Sequence, residues 1–230
     1  MFMINPFFNQ QQADPNLTIL LMHFDGTDGS TTFTDSSPHN HQILINGGTP
    51  TINTTDAKFS GAFTLVNTNS LKIDTASTLN IYNGDNYTIE FFIKINALPA
   101  GVRYLFLSNT TNDISYRIYI SNLGDLTFSN KNSASVTTTA LSLNTYHHIA
   151  FVRNGTGVGG LKVYVDGVLN ATAPLANYDI DDTLATYSLI NGWVIGFNLG
   201  LSTASLDEFR IRKEAVYTGN FTPPTAPFTY

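Results

Sequence analysis

Two neighbouring histidines, His147 and His148, are the first residues of this chain whose type suggests chemistry. Imidazole binds metal ions and exchanges protons near neutral pH, so a histidine pair can form a metal site or activate a nucleophile. The stretch 146–153 reads as a strand, however, and adjacent strand residues face opposite sides. No Gly-x-Ser-x-Gly elbow, the usual setting of a nucleophilic serine, accompanies them. We therefore expect His148 to lie on the face of Ala150 and Val152 and to make a buried hydrogen bond.

Paired carboxylates would indicate glycoside hydrolysis, which needs an acid and a base or nucleophile roughly 5–9.5 Å apart. The chain has only three glutamates, and Glu90 stands between apolar residues of a predicted strand. Asp207 and Glu208 are adjacent, so strand alternation predicts opposite faces for them. We therefore predict that the protein is not an enzyme, and a glycoside hydrolase remains the second alternative.

Asp25, Asp28 and Asp207 are the predicted metal ligands. Calcium takes carboxylate and carbonyl oxygens from flexible loops, and the Asp-Gly-Thr-Asp-Gly run that begins at Asp25 offers both. The alternative is that Asp25 and Asp28 only make turns. Asp207 would then pair with Arg210 or Arg212. A calcium ion here would be structural.

Sugar binding requires a flat aromatic ring that stacks on the sugar, with polar side chains for its hydroxyl groups. The segment 177–182 combines an aromatic ring with acidic residues and predicts contacts from Tyr178, Asp179 and Asp181. Trp193 is the fourth predicted glycan contact. The alternative is that these rings, like most aromatic residues of a β protein, belong to the core.

Strands must position all of these residues. The chain is rich in Thr, Ile, Val, Tyr and Phe, which favour strands, and turn residues recur about every eight to twelve residues. Val165 runs into the dipeptide Asp166-Gly167, a strong signal for a hairpin. The predicted strands cover residues 17–24, 43–46, 62–66, 70–73, 87–95, 104–108, 115–121, 126–130, 136–139, 146–153, 161–165, 168–172, 192–197 and 205–212. This spacing predicts an all-β fold, an antiparallel two-sheet β-sandwich of jelly-roll type with about a dozen strands.

Composition excludes several classes of function. Of the 230 residues only 12% are charged, the net charge is −6, and Lys and Arg form no basic stripe, so we expect no nucleic-acid partner. No run approaches eighteen apolar residues, so no membrane insertion is predicted. The absence of cysteine excludes a disulfide framework.

The two ends of the chain differ from its middle. Residues 1–16 form a predicted arm whose Phe2, Phe7 and Phe8 would dock on a neighbouring subunit, the alternative being a frayed end. This N-terminal stretch lacks the Lys or Arg and the apolar core of a secretory signal, so we do not expect export of the chain alone by the general route. Residues 17–230 form one predicted domain, and the prolines of residues 217–228 predict an extended C-terminal tail over its surface.

Four blocks of the sequence, in this order, resemble laminin-G-like domains of the concanavalin A-like lectin and glucanase superfamily. They are residues 20–26, 87–94, the His-His strand with its Asp-Gly hairpin, and residues 206–211. The closing Tyr-Thr-x-x-Phe-Thr-Pro-Pro-x-x-Pro-Phe resembles the tail of a subset found in tailed-phage structural proteins. The resemblance implies the β-sandwich and a calcium ion between the first and last strands, which here would join Asp25 to Asp207.

The same resemblance implies a non-enzymatic virion structural protein of a tailed phage, either a capsid decoration or a fibre or tail subunit. Its expected partners are a virion shell or tail protein, bound through the N-terminal arm, further copies of itself in a homo-oligomer, and host-surface glycans. Its expected location is the virion, assembled in the host cytoplasm. The first alternative is a carbohydrate-binding module of a bacterial surface or secreted protein. Fold alone does not decide between these functions.

Overall fold

Fifteen strands in two antiparallel sheets make up the part of the chain that the computed structural model describes. That part comprises residues 14–73, 79, 81, 85–110, 113–130, 135–155, 157–175, 192–197 and 200–230. The strands are β1 (Thr18–Met22), β2 (Ile43–Gly47), β3 (Ile52–Asn53), β4 (Ala62–Asn67), β5 (Ser70–Ile73), β6 (Tyr87–Ala97), β7 (Arg103–Thr110), β8 (Asp113–Ile120), β9 (Leu126–Asn130), β10 (Ser135–Thr137), β11 (Tyr146–Arg153), β12 (Gly157–Val165), β13 (Val168–Leu175), β14 (Gly192–Phe197) and β15 (Gly200–Arg212). Within these ranges, no helix has the length and apolar character needed to cross a membrane.

The strands form a two-sheet sandwich, as the sequence predicts. The eight-stranded sheet has the order β13-β12-β11-β6-β15-β4-β3, with β1 also paired to β15. The seven-stranded sheet has the order β10-β9-β8-β7-β14-β5-β2. Their facing sides are apolar and pack ring against ring: Phe209 of β15 stacks on Phe91 of β6 at 5.7 Å and meets Phe106 of β7 at 5.5 Å. The core therefore lies between the sheets.

Each predicted strand is present, with bounds that differ at the ends. Alternation explains the success, since Ile89, Phe91 and Ile93 of β6 enter the core whereas Glu90 and Phe92 do not. The two-residue strand β3 was not predicted, because two residues are too few to show a period of two.

The predicted hairpin joins β12 to β13 through Asp166 and Gly167. Their φ angles are +49° and +78°, and positive φ at both central residues is the requirement of a type I′ turn. A Cβ atom on Gly167 would also overlap the carbonyl oxygen of Phe221. Glycine is thus required here twice, for the turn and for the close approach of the C-terminal residues.

A β-bulge in β15 corrects one expectation. Asp207 lies opposite Phe92 while Arg210 lies opposite Glu90, so β15 has one residue more than β6 in this interval. Glu208 is the irregular residue, with a φ of +55°. The flanking residues Leu206 and Phe209 both enter the core. Asp207 and Glu208 therefore share the outer face, and the predicted opposite orientation was wrong because a bulge interrupts the alternation.

Residues 213–230, called the C-terminal segment below, cross the outer face of the eight-stranded sheet without regular structure. Phe228 is buried against Leu21 and Phe92. Tyr217 and Phe221 stack on each other at 3.5 Å and cover the outward side chains of β11 and β12. These contacts turn an outer sheet face into a second, smaller core.

Candidate functional site

Glu90 is the centre of a buried polar cluster beneath the C-terminal segment. Its side chain is fully buried. Arg210 donates from Nε and Nη2 to Oε1 of Glu90, at 2.9 and 2.6 Å. Tyr217 donates its hydroxyl to Oε2 at 2.8 Å, and Nε2 of His148 lies 3.1 Å from the same oxygen. The predicted buried hydrogen bond of His148 is confirmed, and its partner is Glu90.

This environment keeps Glu90 ionised. Burial alone would raise the pKa of Glu90, but the Arg210 charge and the hydrogen bond and charge of His148 outweigh it and lower the pKa to about 2. A carboxylate that holds its charge so firmly is a poor proton donor at neutral pH. Burial and the neighbouring Glu90 charge raise the pKa of Tyr217, which stays a hydrogen-bond donor. The cluster is therefore a structural tie between β6, β15 and the C-terminal segment.

His147 makes a separate chain of hydrogen bonds at the surface. Its Nδ1 lies 2.6 Å from Oδ2 of Asp166, and its Nε2 lies 2.8 Å from Oγ of Ser142. The connectivity is that of a serine-hydrolase triad. Oδ1 of Asp166 also accepts the backbone N–H of His148 at 2.9 Å. These contacts join the hairpin turn to the loop before β11.

The predicted metal ligands are only partly brought together. Asp28 is exposed and accepts the backbone N–H and the hydroxyl of Thr54 at 3.0 and 3.3 Å. Asp207 is fully buried, and its Oδ2 accepts the backbone N–H groups of Lys58 and Phe59 at 2.8 and 3.0 Å. Its Oδ1 is buried without a partner in the described part of the chain. Asp25 is exposed and near enough for its charge to act on Asp207.

Burial raises the pKa of Asp207 to about 7; the charges of Glu208 and Asp25 add to this effect and the two backbone hydrogen bonds oppose it. The alternative ion pair of Asp207 with Arg210 or Arg212 is wrong. Arg210 forms an ion pair with Glu90 of β6, and Arg212 forms one with Glu214 of the C-terminal segment.

The unpartnered Oδ1 of Asp207 is the feature that suits a cation. The neighbouring carboxylate of Glu208 is already engaged, since it lies 2.9 Å from Nδ1 of His23 and accepts the backbone N–H of Phe228 at 2.7 Å. Within the described ranges, no three His, Asp or Glu side chains converge where one ion could bind. Asp25 and Asp207 thus supply an incomplete set of donors, and calcium stays a prediction.

A cleft with aromatic walls lies over β6, between the loop 56–60 and the C-terminal segment. We call it the aromatic cleft; its volume is about 490 Å³ and its lining residues are Lys58, Phe59, Phe92, Tyr146, Asp166, Thr222, Pro223, Pro224 and Thr225. Phe59 and Phe92 meet edge to face at 5.4 Å. The ammonium group of Lys58 lies 5.3 Å from the centre of the Phe92 ring. Aromatic faces and charged groups therefore meet in one concave site.

Both walls of the aromatic cleft are held by hydrogen bonds. On one side Asp207 binds the backbone of Lys58 and Phe59, and Tyr146 donates its hydroxyl to the carbonyl of Asp56 at 2.8 Å. The side chain of Asp56 in turn accepts from Ser205 at 2.6 Å and forms an ion pair with Lys94.

On the other side of the cleft, Phe221 donates its N–H to the carbonyl of Gly167 at 2.9 Å. A site that is fixed before its ligand arrives loses less entropy when the ligand binds.

Of the predicted glycan contacts, only Trp193 lies within the described residues. Trp193 is only 2% exposed and packs edge to face on Phe106 at 5.2 Å in the core, so it offers no ring face to a sugar; that prediction was wrong. Tyr178, Asp179 and Asp181 lie outside the described residues and stay predictions. The arm residues Phe2, Phe7 and Phe8 also lie outside them. The aromatic cleft itself was not predicted, although the outward position of Phe92 in the alternation of β6 was a signal for it.

Comparisons with known proteins agree with this fold. A laminin-G-type family model, described as the concanavalin A-like lectin/glucanases superfamily, matches residues 65–217. Among curated proteins, none matches the chain in sequence.

Several solved structures are similar. The botulinum neurotoxin serotype D ligand-binding domain, in complex with N-acetylneuraminic acid, has a TM-score of 0.66 and 15% identity over 88% of this chain and 49% of that one. The binding domain of Paraclostridial Mosquitocidal Protein 1 has a TM-score of 0.68 and 19% identity over 88% and 50%. A structure of botulinum neurotoxin type C, whose cell entry depends on two ganglioside molecules, has a TM-score of 0.65 and 16% identity over 88% and 49%. The chain thus spans about half the length of these structures, and the likeness concerns the fold.

Proposed function

Because the chain belongs to the concanavalin A-like lectin/glucanases superfamily, we propose that it is a non-enzymatic recognition domain that binds glycans in the aromatic cleft. The observation that carries this proposal is the composition of the cleft, in which the half-buried rings of Phe59 and Tyr146 stand beside Lys58 and Asp166, with the buried ring of Phe92 also in the lining. Sugars have apolar C–H faces that pack on aromatic rings and hydroxyl groups that need polar partners. The fixed walls suit a rigid ligand of this kind.

The glycan ligands of similar structures support the proposal. One similar toxin domain is bound to N-acetylneuraminic acid, and another toxin enters cells through two ganglioside molecules. These are properties of those proteins. For this chain they make glycans the first class of ligand to test.

We further propose that the domain is carried by a tailed-phage virion, as a capsid decoration or as a fibre or tail subunit that recognises host-surface glycans. The support is the resemblance of residues 217–228 to the tail of the phage subset and the aromatic composition of residues 1–16. The arm would dock on a shell or tail protein, and the subunits would form a homo-oligomer.

Glycan binding is tested by a glycan array followed by titration calorimetry on the full chain. Phe59→Ala removes a half-buried ring of the cleft and should weaken binding about tenfold, the equivalent of about 1.4 kcal/mol. Tyr119→Ala is the matched control, since it removes a half-exposed ring from the opposite sheet and should leave binding unchanged. An absence of glycan binding, or equal weakening by both variants, would contradict the proposal.

The virion role is tested by mass spectrometry and imaging of purified particles. We expect the full chain in the particle and a folded but unassembled domain when residues 1–16 are deleted. Incorporation without the arm would overturn the docking role. A monomer that binds glycans but is absent from particles would instead indicate a carbohydrate-binding module of a bacterial surface or secreted protein.

A further inference from the structure

Lys58 is a cation of the aromatic cleft that has no ion-pair partner within the described part of the chain. Two other basic groups of this sheet face are paired, Lys94 with Asp56 and Arg210 with Glu90. The ammonium group of Lys58 instead lies over the rings of Phe92 and Phe59, at 5.3 and 5.9 Å from their centres. Lys58 is exposed and thus open to an incoming anion.

The acidic residue of the cleft does not pair with Lys58. Asp166 has both carboxylate oxygens engaged, Oδ2 by His147 at 2.6 Å and Oδ1 by the backbone N–H of His148 at 2.9 Å. It forms no ion pair with Lys58 in the described structure. The cleft therefore presents one available cation beside ring faces.

The position of Lys58 is fixed from below. Asp207 binds the backbone N–H groups of Lys58 and Phe59, so the cation and the ring beside it stand on one anchored turn of chain. A lysine held in this way loses little backbone freedom when an anion binds, whereas its side chain keeps the reach to adjust.

We propose that the glycan recognised in the aromatic cleft is acidic, a sugar whose carboxylate pairs with Lys58 while its ring packs on Phe59. This inference rests on the proposed function and narrows it. The protein carries a net charge of −6, so long-range attraction of an anion is weak and the contact at Lys58 must provide the preference. An exposed charge pair is worth up to about 1 kcal/mol, which is about fivefold in affinity.

Titration calorimetry of the full chain with 3′-sialyllactose and with lactose tests the inference. The two sugars share their neutral part and differ by the carboxylate-bearing residue. We expect tighter binding of sialyllactose, with an advantage that falls as salt is raised. Lys58→Gln should weaken the binding of sialyllactose by up to about fivefold and that of lactose less. Lys58→Arg should keep the preference, and Lys72→Gln, which removes a cation of the opposite sheet, should change neither affinity.

The outcomes separate the two proposals. Equal affinity for both sugars, or equal loss of both in Lys58→Gln, would overturn the acidic preference and leave glycan binding intact. Binding of neither sugar, with none of the acidic glycans of the array bound, would overturn both proposals. Thermal melting of each variant shows whether it is folded, and a folded Lys58→Gln that retains the full preference would also count against the inference.

Discussion

At the scale of single residues, type alone is a weak guide to chemistry in this protein. Glu90, a candidate acid by type, is a buried acceptor for Arg210, Tyr217 and His148. His147 contacts Ser142 of the loop before β11 and Asp166 of the hairpin turn. No sequence pattern marks Lys58 as a binding residue. Its candidate role follows from its position beside the aromatic rings of the cleft.

Glu90 should determine the acid stability of the domain. Its pKa in the folded chain is about 2, below the ordinary value of 4.5, so the ionised form stabilises the fold above pH 4.5. This contribution is lost as the pH falls from about 4.5 to about 2. Melting temperatures of the wild type should therefore fall steeply in that window, and Glu90→Gln should show a smaller slope there.

Glu90→Gln should also lower the free energy of unfolding at neutral pH by about 3–5 kcal/mol, because it leaves Arg210 buried without a full counter-charge. Asp85→Asn is the control, since Asp85 and its partner Lys213 of the C-terminal segment, 3.3 Å apart, are both partly exposed. It should cost less than about 1 kcal/mol. Similar losses in urea unfolding of the two variants would contradict the central role of Glu90.

The calcium prediction can be tested through Asp207. Asp207→Asn keeps an acceptor for the N–H groups of Lys58 and Phe59 but removes the charge that a cation requires. We expect calcium to raise the melting temperature of the wild type, and this increment to disappear in the variant. Asp28→Asn should retain the increment, because Asp28 lies in a separate contact with Thr54. Identical melting temperatures of the wild type in calcium and in chelator would contradict a structural calcium site.

At the scale of elements, alternation and turn chemistry are visible in the sequence and irregularities are not. The strand β6 and the Asp166-Gly167 hairpin were predictable because each has a local signal. The bulge at Glu208 has none, since a two-residue period shows no sign of an inserted residue. That bulge brings Asp207 beneath the loop that carries Lys58, so the position of the cleft wall could not be predicted either.

The variant Gly167→Ala tests how much stability comes from the contact between the hairpin turn and the C-terminal segment, in addition to the turn itself. Gly155→Ala is a close control, because Gly155 has nearly the same φ, +76° against +78°, and a Cβ atom there meets nothing within 4 Å. The control should show only the backbone cost of about 1–2 kcal/mol. Gly167→Ala should lose more stability in urea unfolding and should speed amide exchange at Phe221, whose N–H bonds to the carbonyl of Gly167. Equal effects of the two variants would mean that this contact is unimportant.

At the scale of the whole molecule, the C-terminal segment completes the domain. The sandwich was predictable from turn spacing, because that spacing is a property of the local sequence. The packing of the C-terminal segment was not predictable, because it depends on contacts between residues more than a hundred positions apart, such as Tyr217 with Glu90. The aromatic cleft was missed for the same reason, as its walls come from five separate parts of the chain.

Removal of residues 214–230 should destabilise the domain and abolish binding in the cleft together. It would uncover Phe92 and Tyr164, which are almost fully buried, and deprive Glu90 of Tyr217. We expect a lower melting temperature, binding of a hydrophobic dye and loss of any glycan affinity. A truncated chain with the melting temperature of the wild type would show that the segment does not contribute to the stability of the sandwich.

The path of the chain around β1 has a mechanical consequence. β1 pairs with the end of β15, and the N–H of Lys213 bonds to the carbonyl of Leu17, so the chain leaves residue 14 next to the start of the C-terminal segment. If the preceding residues are anchored on a particle and the cleft holds a surface sugar, tension can pass from β1 to β15 and, through the hydrogen bonds of Asp207, to the loop that carries Lys58 and Phe59. The antiparallel pairing of β1 with β15 then lies on the shortest route between the anchor and the sugar.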